Sequence, residues 1–163
     1  MCSSRCWATI GAVLAGLSVA AGAFGAHGLD AYFREKYHAE FYEKKKTTSA
    51  GAEIVLERKP LSEKYLADFK TGADYQMYHG LALLAVGILS LARPSRGLNV
   101  AGCCFLLGTI GFSGGLYAYT LTGTKWFGMT IVPLGGVLFL VGWTSLALAI
   151  ARKSVANQTT EPR

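Results

Sequence analysis

WFGMTIVPLGGVLFLVGWTSLALAIA, residues 126–151, contains no Lys, Arg, Asp or Glu in 26 consecutive positions. Residues 7–29 and 98–122 are uncharged over 23 and 25 positions, and residues 73–92 carry Asp74 as their only formal charge. About 20 apolar residues suffice for an α-helix to cross a bilayer, where each helix satisfies its own backbone hydrogen bonds. The sequence therefore predicts an all-α fold, a four-helix transmembrane bundle that forms a single integral membrane domain over residues 1–163.

The composition agrees with a membrane protein. Of the 163 residues, 52% are hydrophobic, and the mean hydropathy is +0.33. Residues 7–29 also invite interpretation as a cleaved secretory signal, but their apolar run exceeds the usual signal core of roughly 7 to 15 residues. We therefore expect a retained first helix. Basic residues near the span ends are almost balanced between the two sides of the membrane, with a slight excess on the side of the termini. From this small excess we expect both termini inside.

The segment between the first two spans, residues 30–72, concentrates the charge of the chain. It holds 17 of the 26 charged residues, nine basic and eight acidic. Aromatic residues among charges over residues 32–42 predict an amphipathic helix on the membrane surface. Pro60 and a possible N-cap at Ser62 predict a second helix that continues into span two. The net charge of +6 is spread among acids and span ends, so we expect no nucleic-acid partner.

Small residues predict where the helices approach one another. The chain has 20 glycines, and glycine between membrane helices permits the close backbone contact on which packing depends. Pro133 in span four further predicts a kink or a short irregular entry. The candidate packing positions lie in spans one, three and four: Gly22, Gly25, Gly28, Gly108, Gly111, Gly114, Gly115, Pro133, Gly135 and Gly136.

Polar residues at one end of spans one and two form the candidate functional cluster. Span one ends at His27, and span two opens with DYQMYHG, residues 74–80, so that both histidines fall on the same side of the membrane. Four-residue spacing pairs Asp74 with Tyr78, and Tyr75 with His79, on a helix face.

Three interpretations of this cluster are open. Two histidines could ligate a haem iron. Asp74 with both histidines could relay protons or bind a metal ion, since ionisable groups in membranes are costly. In the structural interpretation, which we favour, His27 bonds the last carbonyls of span one with Gly28 as C-cap, while Asp74 stabilises the first turns of span two. We accordingly expect no metal ion and no cofactor.

Four motifs carry a resemblance to a known family. GAFGAHGL closes span one, YQMYHGLALL opens span two, FSGGLYAYTLTG lies in span three and VPLGGVLFLVGW in span four. In this order they resemble the small membrane family called domain of unknown function 423, whose animal relatives are called transmembrane protein 256. The resemblance covers about residues 7–30 and 62–150, and residues 31–61 look longer than the corresponding family segment.

The resemblance implies a four-helix protein of the bacterial inner membrane, or of an organelle membrane in animals, with no established activity or catalytic residue. The residues themselves present no nucleophile with a base, no phosphate loop and no zinc motif, so we expect no enzyme. We expect a structural or accessory role in a membrane complex or lipid environment, with the bilayer and other membrane proteins or a second copy as partners. The alternative is a small proton or metal-ion transporter that uses the polar cluster.

Overall fold

The computed structural model describes residues 4–49 and 51–158, and for residues 152–158 the backbone alone. It confirms the predicted four-helix transmembrane bundle, with four helices long and apolar enough to span a bilayer, and it adds one two-stranded sheet. The elements in chain order are α1 (Ser4–His27), α2 (Leu29–Lys36), β1 (Phe41–Thr47), β2 (Glu53–Pro60), α3 (Leu61–Ala92), α4 (Arg96–Thr109), α5 (Gly115–Thr122) and α6 (Val132–Gln158).

Two π-helical turns interrupt the third and fourth spans. Residues Ile110–Gly114 join α4 to α5 within one continuous span, and residues Phe127–Ile131 lead into α6. The second turn lies where an irregular entry was predicted. Pro133 has no backbone N–H to donate, and the wider turn just before it accommodates the missing hydrogen bond.

The bundle is built from two tightly packed helix pairs, α1 with α3 and α4 with α6. The indole nitrogen of Trp7 donates to Asn99 Oδ1 at 3.0 Å and so joins the first span to the third. All four spans contribute to one apolar core, whose buried members include Trp7, Leu83, Val86, Leu98, Ala101, Phe105, Phe139 and Leu146.

Glycine allows the closest helix contacts, but only some of the predicted positions take part. A Cβ on Gly135 would lie 2.8 Å from the backbone carbon of Gly111, and one on Gly108 would lie 2.6 Å from the ring of Phe139. Added Cβ atoms would also meet residues of another part of the bundle at Gly25, Gly111, Gly115 and Gly136. At Gly28 the nearest atoms belong to Phe24, four residues earlier in the chain, so the helix contact predicted for Gly28 is wrong.

Two further packing predictions are wrong. A Cβ on Gly22 or Gly114 would meet nothing within 4 Å, because both positions face away from the other described helices. Span one instead contacts span two through Gly11, where an added Cβ would lie 2.6 Å from the carbonyl oxygen of Gly80. Gly25 of span one contacts the second span, whereas Gly108, Gly111 and Gly115 of the third span contact the fourth, so these glycines do not pack against each other.

The charged segment differs from its prediction. Its surface helix, α2, ends at Lys36, and the chain then forms an antiparallel hairpin of β1 and β2. Leu56 of β2 bulges out between the pairs Lys44–Glu57 and Lys45–Val55. The helix predicted to continue into span two is present, but it starts at Leu61 with Pro60, not Ser62, at its N-cap position. At about 1.5 Å per residue, the 32 residues of α3 extend for about 48 Å.

Candidate functional site

His79 lies inside the bundle, between α3 and α6. Its ring is 4% exposed and stacks on Phe139, with ring centroids 3.4 Å apart and planes 6° from parallel. Its Nδ1 lies 2.8 Å from the carbonyl oxygen of Tyr75, and the indole nitrogen of Trp143 lies 3.2 Å from its Nε2. Both ring nitrogens are therefore engaged within the protein.

These partners also fix the protonation of the imidazole. A carbonyl oxygen only accepts hydrogen bonds and an indole N–H only donates them, so Nδ1 of His79 carries the proton and Nε2 accepts from Trp143. This is the neutral tautomer with both nitrogens satisfied. A ring held in this way joins helices, and it offers no free nitrogen to a metal ion or a travelling proton.

The structure does not bring His27 to His79. Helices α1 and α3 are antiparallel, with Gly25 against Phe69 and Gly11 against Gly80. From the level where Gly25 meets Phe69, His79 lies ten residues further along α3, which is about 15 Å. His27 lies beyond the same level in the opposite direction, because α1 runs antiparallel to α3. The haem interpretation required these two histidines to meet, and the relay and metal interpretations required His27 to meet His79 or Asp74.

The structural role predicted for His27 is also wrong in its details. Its side chain is exposed and makes no hydrogen bond with the described residues. Gly28 adopts φ −96° rather than a left-handed cap, and the chain turns directly into α2.

The α3 members of the cluster have different surroundings. Asp74 and Tyr78 are exposed, while the ring of Tyr75 stacks on Phe112 at 4.5 Å and lies 5.9 Å from His79. Since α3 begins at Leu61, Asp74 lies in the middle of the helix and not in its first turns, where it was expected to stabilise them. The described residues contain no group of three or more His, Cys, Asp or Glu side chains placed to hold a metal ion.

A buried amide links three spans and was not identified from the sequence. Gln76 Nε2 donates to the carbonyl oxygen of Leu14 at 2.9 Å, and its Oε1 accepts from the hydroxyl of Tyr117 at 3.0 Å. Gln76 is 7% exposed. The signal for this role in the sequence is a polar, uncharged residue within the apolar face of a spanning helix.

An aromatic cluster at the N-terminal end of α3 packs α2 and α5 against that helix. It is defined by Phe33, Tyr37, Tyr65, Phe69 and Tyr119. Tyr65 meets Tyr37 and Tyr119 edge to face at 4.8 and 5.0 Å. The Tyr37 hydroxyl donates to the carbonyl oxygen of Thr120, and burial raises the pKa of Tyr37. The phenol therefore remains a donor throughout the neutral pH range.

Lys36 and Gly123 complete this junction where α5 ends. The ammonium of Lys36 donates to the carbonyl oxygen of Leu121 at 2.6 Å, and its hydrogen bond to the Tyr32 hydroxyl raises the pKa of Lys36. Gly123 has φ +75° and donates to the carbonyl oxygen of Tyr119, as expected of a helix C-cap. The aromatic cluster thus holds α2 against the end of the third span.

Comparison with known proteins places this architecture in a family. The model of the family described as "Protein of unknown function (DUF423)" matches residues 21–136, a range that includes parts of all four spans. The chain belongs to the DUF423 family. The matched range also includes the hairpin and the whole of α3.

Several relatives in this family are called UPF0382 membrane proteins. The chain is 39% identical to one from Staphylococcus aureus over 140 residues, which is 86% of this chain and 90% of the relative. A relative from Staphylococcus epidermidis is 36% identical over the same shares of the two chains. One from Staphylococcus saprophyticus is 38% identical, covering 85% of this chain and 91% of its own length. No solved structure matches the chain.

The family and the fold together define the setting. With four apolar spanning helices and bacterial relatives named as membrane proteins, this DUF423 member is a multi-pass integral membrane protein of the bacterial inner membrane. The family is one of unknown function.

Proposed function

We propose that the protein is a non-enzymatic accessory component of a membrane complex, anchored by its helix bundle and contacting a protein partner through the β1–β2 hairpin. The observation that supports this role is a contrast between two regions: polar side chains in the bundle are hydrogen-bonded to other helices, whereas apolar side chains of the hairpin are exposed. Within the spans, His79, Gln76 and Asn99 form hydrogen bonds that connect helices. None of these three side chains is free to act on a substrate.

The hairpin has the opposite character. Ile54, Val55 and Leu56 of β2 are 50%, 47% and 58% exposed, although they are consecutive and apolar. The strand register passes over Leu56, which is the extra residue of a bulge in β2, and among the described residues none covers these three side chains with apolar surface. A two-stranded hairpin is only marginally stable alone in water and presents two free edges. Addition of a strand from a partner would cover an edge and apolar surface together.

Photocrosslinking in membranes tests the role directly. A crosslinking amino acid at Val55 of β2 is expected to capture one protein of defined mass. The same probe at Lys44 of β1 shows whether the partner contacts the edge of one strand or of both. The double variant Ile54→Asp with Leu56→Asp should abolish that product while leaving the protein in the membrane. A product formed equally from an exposed site on α6, such as Leu140, would contradict a hairpin interface, as would capture of lipid alone.

A further inference from the structure

A cavity of about 860 Å³ lies where the hairpin meets the ends of α3 and α5. Its walls come from five parts of the chain: the turn after α2, strand β1, the first turns of α3, helix α5, and the loop from α5 to α6. Neither transmembrane packing nor the proposed hairpin contact uses this space. Its size falls within the range of small-molecule sites, roughly 300 to 1,000 Å³.

The most buried charge in the wall is already neutralised. The ammonium of Lys64, whose side chain is 18% exposed, donates to Asp68 and to the hydroxyl of Tyr119. It also lies over the rings of Tyr42 and Tyr119 at 5.2 and 5.0 Å from their centroids. Lys64 therefore occupies the aromatic surface that a quaternary ammonium ligand would otherwise seek.

A second wall carboxylate is likewise paired. Glu43 forms ion pairs with Arg58 at 3.6 Å and with Lys45 at 4.0 Å. Among the charged residues that line the cavity, this leaves Glu40 and Lys125 outside the ion pairs found in the described part of the chain. Glu40 follows α2 and Lys125 follows α5, so one negative and one positive group come from different segments.

The chemistry of these two groups suits a zwitterion. A carboxylate accepts hydrogen bonds from a primary ammonium, and a lysine ammonium pairs with a phosphate oxygen. An anionic ligand fits less well, because the wall contains three acidic and two basic side chains: Glu40, Glu43, Asp68, Lys64 and Lys125.

The position of the cavity indicates a ligand with an apolar tail. Leu116 and Met129 line it on the side of the spanning helices, and the side chain of Met129 is 76% exposed. Lysine and tyrosine side chains at the ends of spanning helices mark the headgroup level of a bilayer. A molecule in the cavity can therefore keep its polar end between the hairpin and α3 while its chains enter the hydrocarbon beside Met129.

We propose that this cavity binds the phosphoethanolamine headgroup of a membrane phospholipid, with its ammonium at Glu40 and its phosphate at Lys125. The site is independent of the hairpin's protein partner, because it lies on the inner side of β1 and uses no residue of the Ile54 to Leu56 segment.

Native mass spectrometry of the purified full chain provides the test. The protein is titrated with phosphatidylethanolamine, phosphatidylglycerol and phosphatidylcholine of identical acyl chains. Wild type should bind phosphatidylethanolamine most tightly, and Glu40→Gln and Lys125→Gln should each weaken it about tenfold, as expected for loss of one charge-assisted hydrogen bond. The exposed residues Glu35 and Lys44 supply matched controls, and Glu35→Gln and Lys44→Gln should bind as wild type does.

The other outcomes would overturn the proposal. Equal or tighter binding of phosphatidylglycerol would show that the site reads negative charge alone, and equal binding of phosphatidylcholine would show that the primary ammonium is not recognised. Soluble glycerophosphoethanolamine distinguishes a lipid from a free metabolite, since it should compete only weakly without acyl chains. Unchanged affinity in both variants, with their folding verified by thermal unfolding, would place bound lipid elsewhere on the bundle.

Discussion

The imidazole of His79 lies flat against the ring of Phe139, 3.4 Å between centroids, while Trp143 from the same helix donates to its edge. We expect His79→Ala to lower the free energy of unfolding by about 2–4 kcal/mol, because it removes both stacking and a hydrogen bond and leaves a cavity. Trp143→Phe, which removes the donor and retains an aromatic ring, should cost about 1 kcal/mol. Thermal unfolding in detergent measures both.

The matched control for His79 is Tyr78→Phe, at an exposed neighbour on α3, which should leave the midpoint unchanged. Purified protein in liposomes adds a second measurement. If Trp143→Phe abolished a proton or metal-ion flux that wild type displays, without loss of stability, the assignment of His79 to helix packing would be wrong.

The contact of Gly135 with the backbone of Gly111 and Phe112 leaves no room for a methyl group. Gly135→Ala should therefore destabilise the bundle by about 1–3 kcal/mol through overpacking between α6 and the third span. Gly22→Ala should be neutral, or stabilising by up to about 1 kcal/mol, since its Cβ enters open space and alanine favours helix. Unfolding midpoints that fall equally in both variants would contradict the close contact assigned to Gly135.

Gln76 gives a prediction about coupling. Gln76→Leu removes bonds to both Leu14 and Tyr117, whereas Tyr117→Phe removes only one of them. We expect each variant to cost about 1 kcal/mol, and the double variant to cost less than the sum. Strict additivity in a double-mutant cycle would show that the amide and the hydroxyl do not interact.

Gly123 should resist substitution more than its place in a connecting loop suggests. Its φ of +75° disfavours any side chain, and an added Cβ would lie 3.3 Å from the Tyr37 hydroxyl. Gly123→Ala is expected to cost about 1–2 kcal/mol and to loosen α2 from the end of α5. Hydrogen exchange at the backbone amides of α2 measures the second effect, and Gly136→Ala, at an ordinary helix contact, should leave that exchange unaltered.

The four spans could be predicted from the sequence because exclusion of charge from hydrocarbon acts on each segment separately. Residues 98–122 were predicted and Arg96–Thr122 are observed. The hairpin was missed for the opposite reason. Three consecutive lysines in β1 hide any alternation of apolar and polar residues, and β2 exposes its apolar side chains instead of burying them.

The polar cluster was misplaced because the second span was predicted to begin near Ala73. With α3 beginning at Leu61, the same residues fall deep along the helix, and His79 lies within the aromatic core of the bundle. A charged, amphipathic start is compatible with either a surface helix or an extension of a membrane span. Hydropathy alone does not measure the length of such an extension, and the position of each side chain along the membrane normal depends on that length.

The π-helical turn Ile110–Gly114 turns the third span about its own axis. Insertion of one residue into an α-helix rotates everything that follows by about 100°. Phe105, before the turn, faces Trp143 on α6, while Tyr119, after the turn, meets Tyr65 on α3. A chain shortened by one residue here would keep its hydropathy and its span, yet would swing Tyr119 away from the aromatic cluster. The number of residues in this turn, more than their identity, aligns the two ends of the molecule.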